Sequence, residues 1–255
     1  MKFDVLTLFP EMINQAMDHS IMKRAREAGV YTLNAVNFRD YSTDKFSRVD
    51  DAPYGGGAGM VLQCQPLDNT LKALELPDGT PVIYTTPKGR VFNQLMASEL
   101  ATHERLVFIC GHYEGLDQRL IDRWVTHEIS VGDYVLTGGE LPALLMMDAV
   151  VRLREGALGT LASTEEESFS NGLLEYPHYT RPPEFEGVGI PEILISGHHA
   201  NIAQWRLRQS LLITAERRPE LFQKFIESPE RTKAEKKLIQ SVLDEIKSLQ
   251  VDKEL

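Results

Sequence analysis

Along the first 158 residues, short apolar runs alternate with longer stretches whose apolar positions recur at helical spacing. The runs 3–8, 31–36, 82–85, 106–110 and 128–131 are largely β-branched or aromatic and bounded by Gly, Pro or charge, so they predict strands. Between them, 12–28, 67–74, 93–101, 116–124 and 141–154 predict helices. Strict strand–helix alternation predicts an α/β fold, a parallel sheet with helices on both faces. Residues 42–60, STDKFSRVDDAPYGGGAGM, are too polar and glycine-rich for the core and predict a long loop of the kind that is functional or mobile.

After Gly159 the pattern changes. TLASTEEESFSNG, 160–172, is acidic and aperiodic, and 173–189 is rich in proline and aromatics. Three helices follow, at 201–216, 219–228 and 229–249, with Pro219 and Pro229 each expected in a first turn, where a missing N–H costs nothing. The expected organisation is an α/β domain over 1–158, a linker over 159–172 and a small, mostly helical domain over 173–255.

Composition narrows the picture a little. A hydrophobic fraction of 42% is ordinary for a folded chain. No apolar run approaches the roughly 20 residues that cross a bilayer, and KFDVLTLFPEM lacks a signal-peptide layout. Cys64 and Cys110 have no metal-ligand spacing and are too few for a disulfide framework, so a cytoplasmic protein is expected. The net charge of -10 argues against a surface coated in nucleic acid, but it leaves room for placed cations. Two stretches run against it: Lys23, Arg24, Arg26, Arg39, Lys45 and Arg48, then Arg206, Arg208, Arg217 and Arg218. Either set also reads as solvated helix faces.

The chemistry concentrates after three predicted strands. The run 82–85 leads into TPKG, 106–110 into GHYEG, and 128–131 into GDYVLTGGE. Ligands of open α/β sheets bind beyond the carboxyl ends of strands, so these loops predict one pocket walled by backbone. None carries GxxxxGK[ST], and the first strand is not followed by GxGxxG. Glu114, Asp133 and Glu140 would repel a phosphate. The pocket therefore suits an adenosine read by backbone groups and joined to a cationic centre, a description that S-adenosylmethionine fits.

Six segments carry a resemblance: LTLFPEM (6–12), VDDAPYGGGAGM (49–60), ICGHYEG (109–115), ISVGDYVLTGGELPA (129–143), PHYTRP (177–182) and SGHHANIAQWR (196–206). Together they resemble the bacterial tRNA (guanine-N1)-methyltransferases, the TrmD family of the SPOUT methyltransferases, over nearly the whole chain. The resemblance implies methyl transfer from S-adenosyl-L-methionine to N1 of guanosine 37 in tRNA, beside the anticodon. It further implies a deep trefoil knot, a homodimer with active sites at the subunit interface, and dependence on Mg2+, for which no ligand set can be read. By motif position, the implied donor contacts are Tyr84, Thr85 and Pro87, then Gly111, Tyr113 and Glu114. Ser130, Val131, Gly132, Asp133, Tyr134, Val135, Leu136, Gly138, Gly139 and Pro142 complete the set. His199 and Arg206 are implied tRNA contacts. The 49–60 loop would shape the guanine side, with Asp50 contributing to it and Tyr54 placed to stack on a base. Asp50 and Asp51 also read as simple turn-formers.

Methylating N1 requires a base for its proton and a cation for the charge that moves onto O6. The family pattern has an arginine where Arg152 stands and an aspartate two residues before a phenylalanine, where this chain has Glu167. Glutamate offers the same group on a stem one methylene longer. Glu166 could substitute by a shift of the linker. Two rivals stand beside this reading: an RNA-binding relative silenced by the change at Glu167, and a nucleotide-dependent oxidoreductase on a doubly wound sheet.

Overall fold

The computed structural model describes residues 1–158, 167–229 and 231–254. The chain forms two compact units, Met1–Gly159 and Thr160–Leu255.

In the first unit, β1 (Lys2–Thr7), β2 (Thr32–Asn37), β5 (Val82–Val91), β6 (Arg105–Ile109) and β7 (His127–Ser130) form one parallel sheet in the order β2-β1-β6-β5-β7. Side chains alternate across it, as the pleat requires. Phe3, Val5, Ile83, Leu106 and Phe108 join one apolar cluster, while Leu6, Val82, Tyr84, Val107 and Ile109 join another. Covering the first cluster are residues of α1 (Pro10–Ala16), α2 (Ser20–Glu27), α4 (Gln94–Ala101) and α6 (Glu140–Val151); α3 (Cys64–Ala73) and α5 (Gln118–Trp124) supply the second. The central α/β expectation is met, with five parallel strands flanked by helices.

Three local expectations fail. The stretch 12–28 is two helices, because the backbone turns extended at His19 (φ -128, ψ 150) and left-handed at Ser20 (φ 49). The break is held from outside the segment: the buried Tyr31 hydroxyl donates to the carbonyl of Met22 at 3.0 Å. The 42–60 segment is not wholly outside the core. Val49 is completely buried, and β3 (Asp50–Asp51) pairs antiparallel with β4 (Val61–Leu62). Strand β5 also outlasts its predicted end at 85, running to Val91 around an irregularity between Thr85 and Arg90.

The second unit contains a short hairpin, β8 (Glu184–Phe185) with β9 (Val188–Gly189), and the helices α7 (His199–Arg217), α8 (Pro219–Ile226) and α9 (Lys233–Glu254). Leu173, Leu211, Phe222, Phe225, Leu238, Ile239 and Val242 form its core. Pro219 opens α8 as expected, but Pro229 opens nothing. The next helix starts at Lys233 behind a reciprocal cap, Thr232 Oγ1 accepting from the Glu235 N–H at 3.2 Å and Glu235 Oε2 accepting from the Thr232 N–H at 2.7 Å. Among the described residues, no helix is long and apolar enough to cross a membrane.

Candidate functional site

Strands β6, β5 and β7 are neighbours in the sheet, so the loops after them emerge side by side. Between these loops lies a cavity of about 320 Å³.

The first wall comes from β5. Both Thr85 and Arg90 pair with Ile129, so residues 86–89 are looped out of the ladder. Gly89 is where the chain rejoins: a Cβ there would collide with the backbone of Glu128 and Ile129. Tyr84, Thr85 and Pro87 line the cavity, together with Lys88. Burial raises the Tyr84 phenol above its ordinary range.

The second wall is 111–115. A Cβ on Gly111 would come within 2.8 Å of the Tyr84 ring, and one on Gly115 within 2.9 Å of its hydroxyl, so both glycines exist to admit that side chain. Tyr113 holds φ at 58 and the Gly115 N–H donates to the His112 carbonyl at 3.0 Å, which curls the loop. Gly111, Tyr113 and Glu114 all line the cavity.

The third wall runs from Ser130 to Pro142. Gly132 has φ 139 and lies under the Tyr134 ring, whose hydroxyl donates to the Val131 carbonyl at 3.0 Å. Gly138 bridges antiparallel to His112, and the Gly139 N–H donates to the Gly111 carbonyl at 2.9 Å. This loop is therefore folded back onto the second. Ser130, Val131, Gly132, Tyr134, Val135, Leu136, Gly138, Gly139 and Pro142 line the cavity, whereas Asp133 is exposed and outside the lining. Leu116, Gln118, Ile121 and Glu128 also line it and were not anticipated. Their signal is weak in a sequence, because they come from α5, its lead-in and β7 rather than from a glycine-rich loop.

Cys110 sits behind the second wall, wholly buried, its thiol pushed well above the ordinary value by burial and by the Glu140 charge. Buried away from the cavity and held in its thiol form, Cys110 is poorly suited to act as a nucleophile. Glu140 opens α6 with only 3% of its surface exposed. Its Oε1 accepts from Thr7 Oγ1 at 2.6 Å and lies 2.8 Å from His112 Nε2.

The remaining predicted residues lie elsewhere. Asp50 is in β3, opposite Leu62, and Tyr54 is fully exposed in the glycine-rich turn. That turn is tied to the cavity: Glu114 donates its N–H to the Met60 carbonyl at 3.0 Å, and a Cβ on Gly59 would come within 2.8 Å of the Glu114 carboxyl carbon. Arg152 is the C-cap of α6 in the first unit. Glu167 belongs to the second unit, where its carbonyl accepts from the Ser170 hydroxyl at 2.6 Å; Glu165 and Glu166 lie outside the described residues. His199 is the first residue of α7, and the Arg206 guanidinium on the same helix lies 4.7 Å from the centre of the Tyr176 ring. Among the described residues, no group of three or more His, Cys, Asp or Glu could hold a metal ion.

Comparison with known proteins identifies the family. The family model described as "tRNA (Guanine-1)-methyltransferase TrmD" matches residues 1–224. A tRNA (guanine-N(1)-)-methyltransferase of Staphylococcus haemolyticus is 51% identical over 248 residues, 97% of this chain and 100% of its own length. The proteins of the same name from Dehalococcoides mccartyi (strain 195) and Staphylococcus carnosus are 53% identical over 96% of this chain and 54% identical over 88%, covering 98% and 92% of their own lengths. A match of this extent is decisive: the chain belongs to the TrmD family of tRNA (guanine-1)-methyltransferases.

Proposed function

We propose that this chain methylates N1 of guanosine 37 in tRNA, beside the anticodon, with S-adenosyl-L-methionine as donor. The observation that carries the reading is the convergence of three backbone-rich loops on one cavity at adjoining strand ends, in a chain of this family. The volume falls at the low end of small-molecule sites, roughly 300–1,000 Å³. Its charged lining is Lys88, Glu114 and Glu128, which suits a ligand with a positive centre and no phosphates. Bound there, the donor supplies an electrophilic methyl on a sulfonium.

The chain's own residues do the rest. Glu167 would take the N1 proton as the N1–methyl bond forms and the methyl–sulfur bond breaks, releasing a neutral thioether, while Arg152 would meet the negative charge that shifts toward O6. Asp50 and Tyr54 border the acceptor from a turn that is hydrogen-bonded to the donor wall. His199, Arg206 and Arg217 on α7 would meet RNA phosphates, with Arg208 and Arg218, now paired with Glu245 and Glu220, exchanging those partners for phosphate. Dependence on Mg2+ belongs to the same reading, with no cluster among the described residues to hold the ion. The trefoil knot and the cytoplasmic location belong to the same reading; the knot is supported by the third loop folding back on the second. The homodimer is supported by apolar side chains left exposed along α6, Leu141 at 54% and Leu145 at 47%.

Unmodified tRNA transcripts incubated with labelled donor test the whole reading. Label should appear at guanosine 37 and vanish when that position is adenosine. Donor binding without transfer would instead favour a silent RNA-binding relative. Within the reading, Glu167→Gln should abolish turnover, a loss of at least about 10²-fold, while calorimetry shows unchanged donor affinity. Single-turnover rates near those of the parent would move the base elsewhere.

A further inference from the structure

Behind the cavity sits a polar cluster that the methyl-transfer chemistry does not use. Three distant parts of the chain meet at one carboxylate: Thr7 at the end of β1, His112 in the second wall, and Glu140 in the first turn of α6. Thr7 is fully buried and Glu140 nearly so. The His112 side chain retains 14% of its exposure and lines the cavity. A carboxylate has no proton to give, so the His112 Nε2–H donates to Oε1, which also receives the Thr7 hydroxyl. The Thr7 oxygen in turn accepts the Phe9 N–H at 2.9 Å, and the Phe9 ring meets the imidazole edge-on with centroids 5.3 Å apart. A Cβ at 138 would press on this pair, coming within 2.6 Å of Glu140 Oε2 and 2.9 Å of His112 Nε2, so a larger residue there would have to displace one of them.

We infer that Glu140 and His112 are positioning residues for the donor cavity, joining the second wall to the third. The bridge from His112 to Gly138 and the hydrogen bond from Gly139 to Gly111 are backbone contacts between loops that have no ladder around them. Side chains add to these contacts, and among the described residues the Glu140–His112 hydrogen bond is a side-chain link that spans both loops. It fixes Gly111 and Tyr113 on one side of the cavity and Gly138 and Gly139 on the other. The carboxylate is stabilised where it stands by the N-terminal end of α6. Breaking the bond frees the two walls to shift, and displacements near 1 Å are enough to cost roughly a hundredfold in a positioned site.

This inference rests on the donor reading of the cavity, and the test separates the two. Donor affinity is measured by calorimetry with S-adenosylmethionine on the full chain, with thermal midpoints alongside, for Glu140→Ala, Glu140→Gln, His112→Ala and His112→Gln. The alanine variants should bind about 10- to 100-fold more weakly, the range typical when a group that orients a binding element is lost. Both glutamine variants should return to within about threefold, since Gln at 140 keeps the acceptor oxygen and Gln at 112 keeps a donor near Nε2. Should Glu140→Ala fail to fold, the His112 pair carries the test alone. Parent-like affinity in folded alanine variants, with only the thermal midpoint lowered, would reduce the cluster to a folding anchor and overturn the inference. So would glutamine variants as weak as the alanines. A parent that shows no heat with the donor would instead overturn the reading of the cavity itself.

Discussion

Gly139 is the residue on which the cavity most depends. It sits where three chain segments touch: a Cβ there would strike Thr85 Oγ1 and come within 2.7 Å of the Cys110 Cα and 2.8 Å of the Gly111 nitrogen. Two of those neighbours are backbone and cannot rotate away. Gly139→Ala should therefore abolish measurable donor binding and destabilise the fold by about 1–3 kcal/mol, as overpacking does; calorimetry and thermal melts on one preparation check both. Tyr54 is the opposite case, with its whole side chain in solvent. Tyr54→Ala should leave stability within about 0.5 kcal/mol and donor affinity untouched, while raising the KM for tRNA by about tenfold if a base stacks there. An unchanged KM would return Tyr54 to the solvent. The glycines of these loops were legible in the sequence as turns and pocket walls. Which of them are forced by contact was not, because Gly139 is crowded by residues from other strand ends, and that proximity exists only after folding.

At the scale of the element, α5 shows how a short helix is started and how it meets the cavity. Asp117 accepts the Arg119 N–H at 3.0 Å and donates its own N–H to the Leu62 carbonyl at 3.0 Å, so it starts the helix and ties it to β4. The Arg119 guanidinium, the backbone cap and Cys64 hold the Asp117 carboxyl well below the usual carboxylate range. A folded-state value depressed in this way stabilises the protein above the unfolded carboxylate value of about 3.9 and is lost as pH falls through the folded one. Arg119 is 76% exposed, so its pair is screened and the cap carries most of the effect. Asp117→Ala should cost about 1 kcal/mol at pH 7, and the gap between parent and variant melts should narrow below about pH 4. A gap that widens in acid would contradict the sign. Elements of this kind were read unevenly. Strands such as β6 were plain, since Leu106 and Phe108 face one core and Val107 and Ile109 the other. The start of α9 is misplaced by Pro229, whose first-turn signal falls four residues before Lys233, whereas the Thr232–Glu235 cap sets the true start. The break at His19 had no glycine or proline to mark it, because its restraint is Tyr31, on the far side of α2.

At the scale of the whole molecule, the alternation of strands and helices disclosed a parallel sheet but not its order, β2-β1-β6-β5-β7, which is what sets the three loops side by side. The sequence of α6, ELPALLMMDAVV, carries a further message about assembly. A helix this rich in apolar residues is ordinarily buried on most sides, yet only part of this one is covered within the chain, and its exposed face carries one charge, Asp148, a turn beyond Leu145. Met146, Met147, Val150 and Val151 are buried, while Leu141 and Leu145, one turn apart, are exposed, and the packed neighbours α1 and α4 leave Met12 at 38% and Leu95 at 68%. A second copy of the same face is the economical cover, because a two-fold interface sets each patch against its twin. In the proposed dimer a charge introduced at Leu145 would enter twice and lie on a desolvated surface, where like charges cost several kcal/mol. Leu145→Glu should convert a dimer to a monomer in sedimentation velocity at micromolar concentration, whereas Leu145→Met, which keeps volume and apolarity, should remain dimeric. If active sites are shared between subunits, methyl transfer should fall with the dimer. A variant that sediments as a monomer yet retains parent kcat would leave the dimer standing but confine each site to one chain.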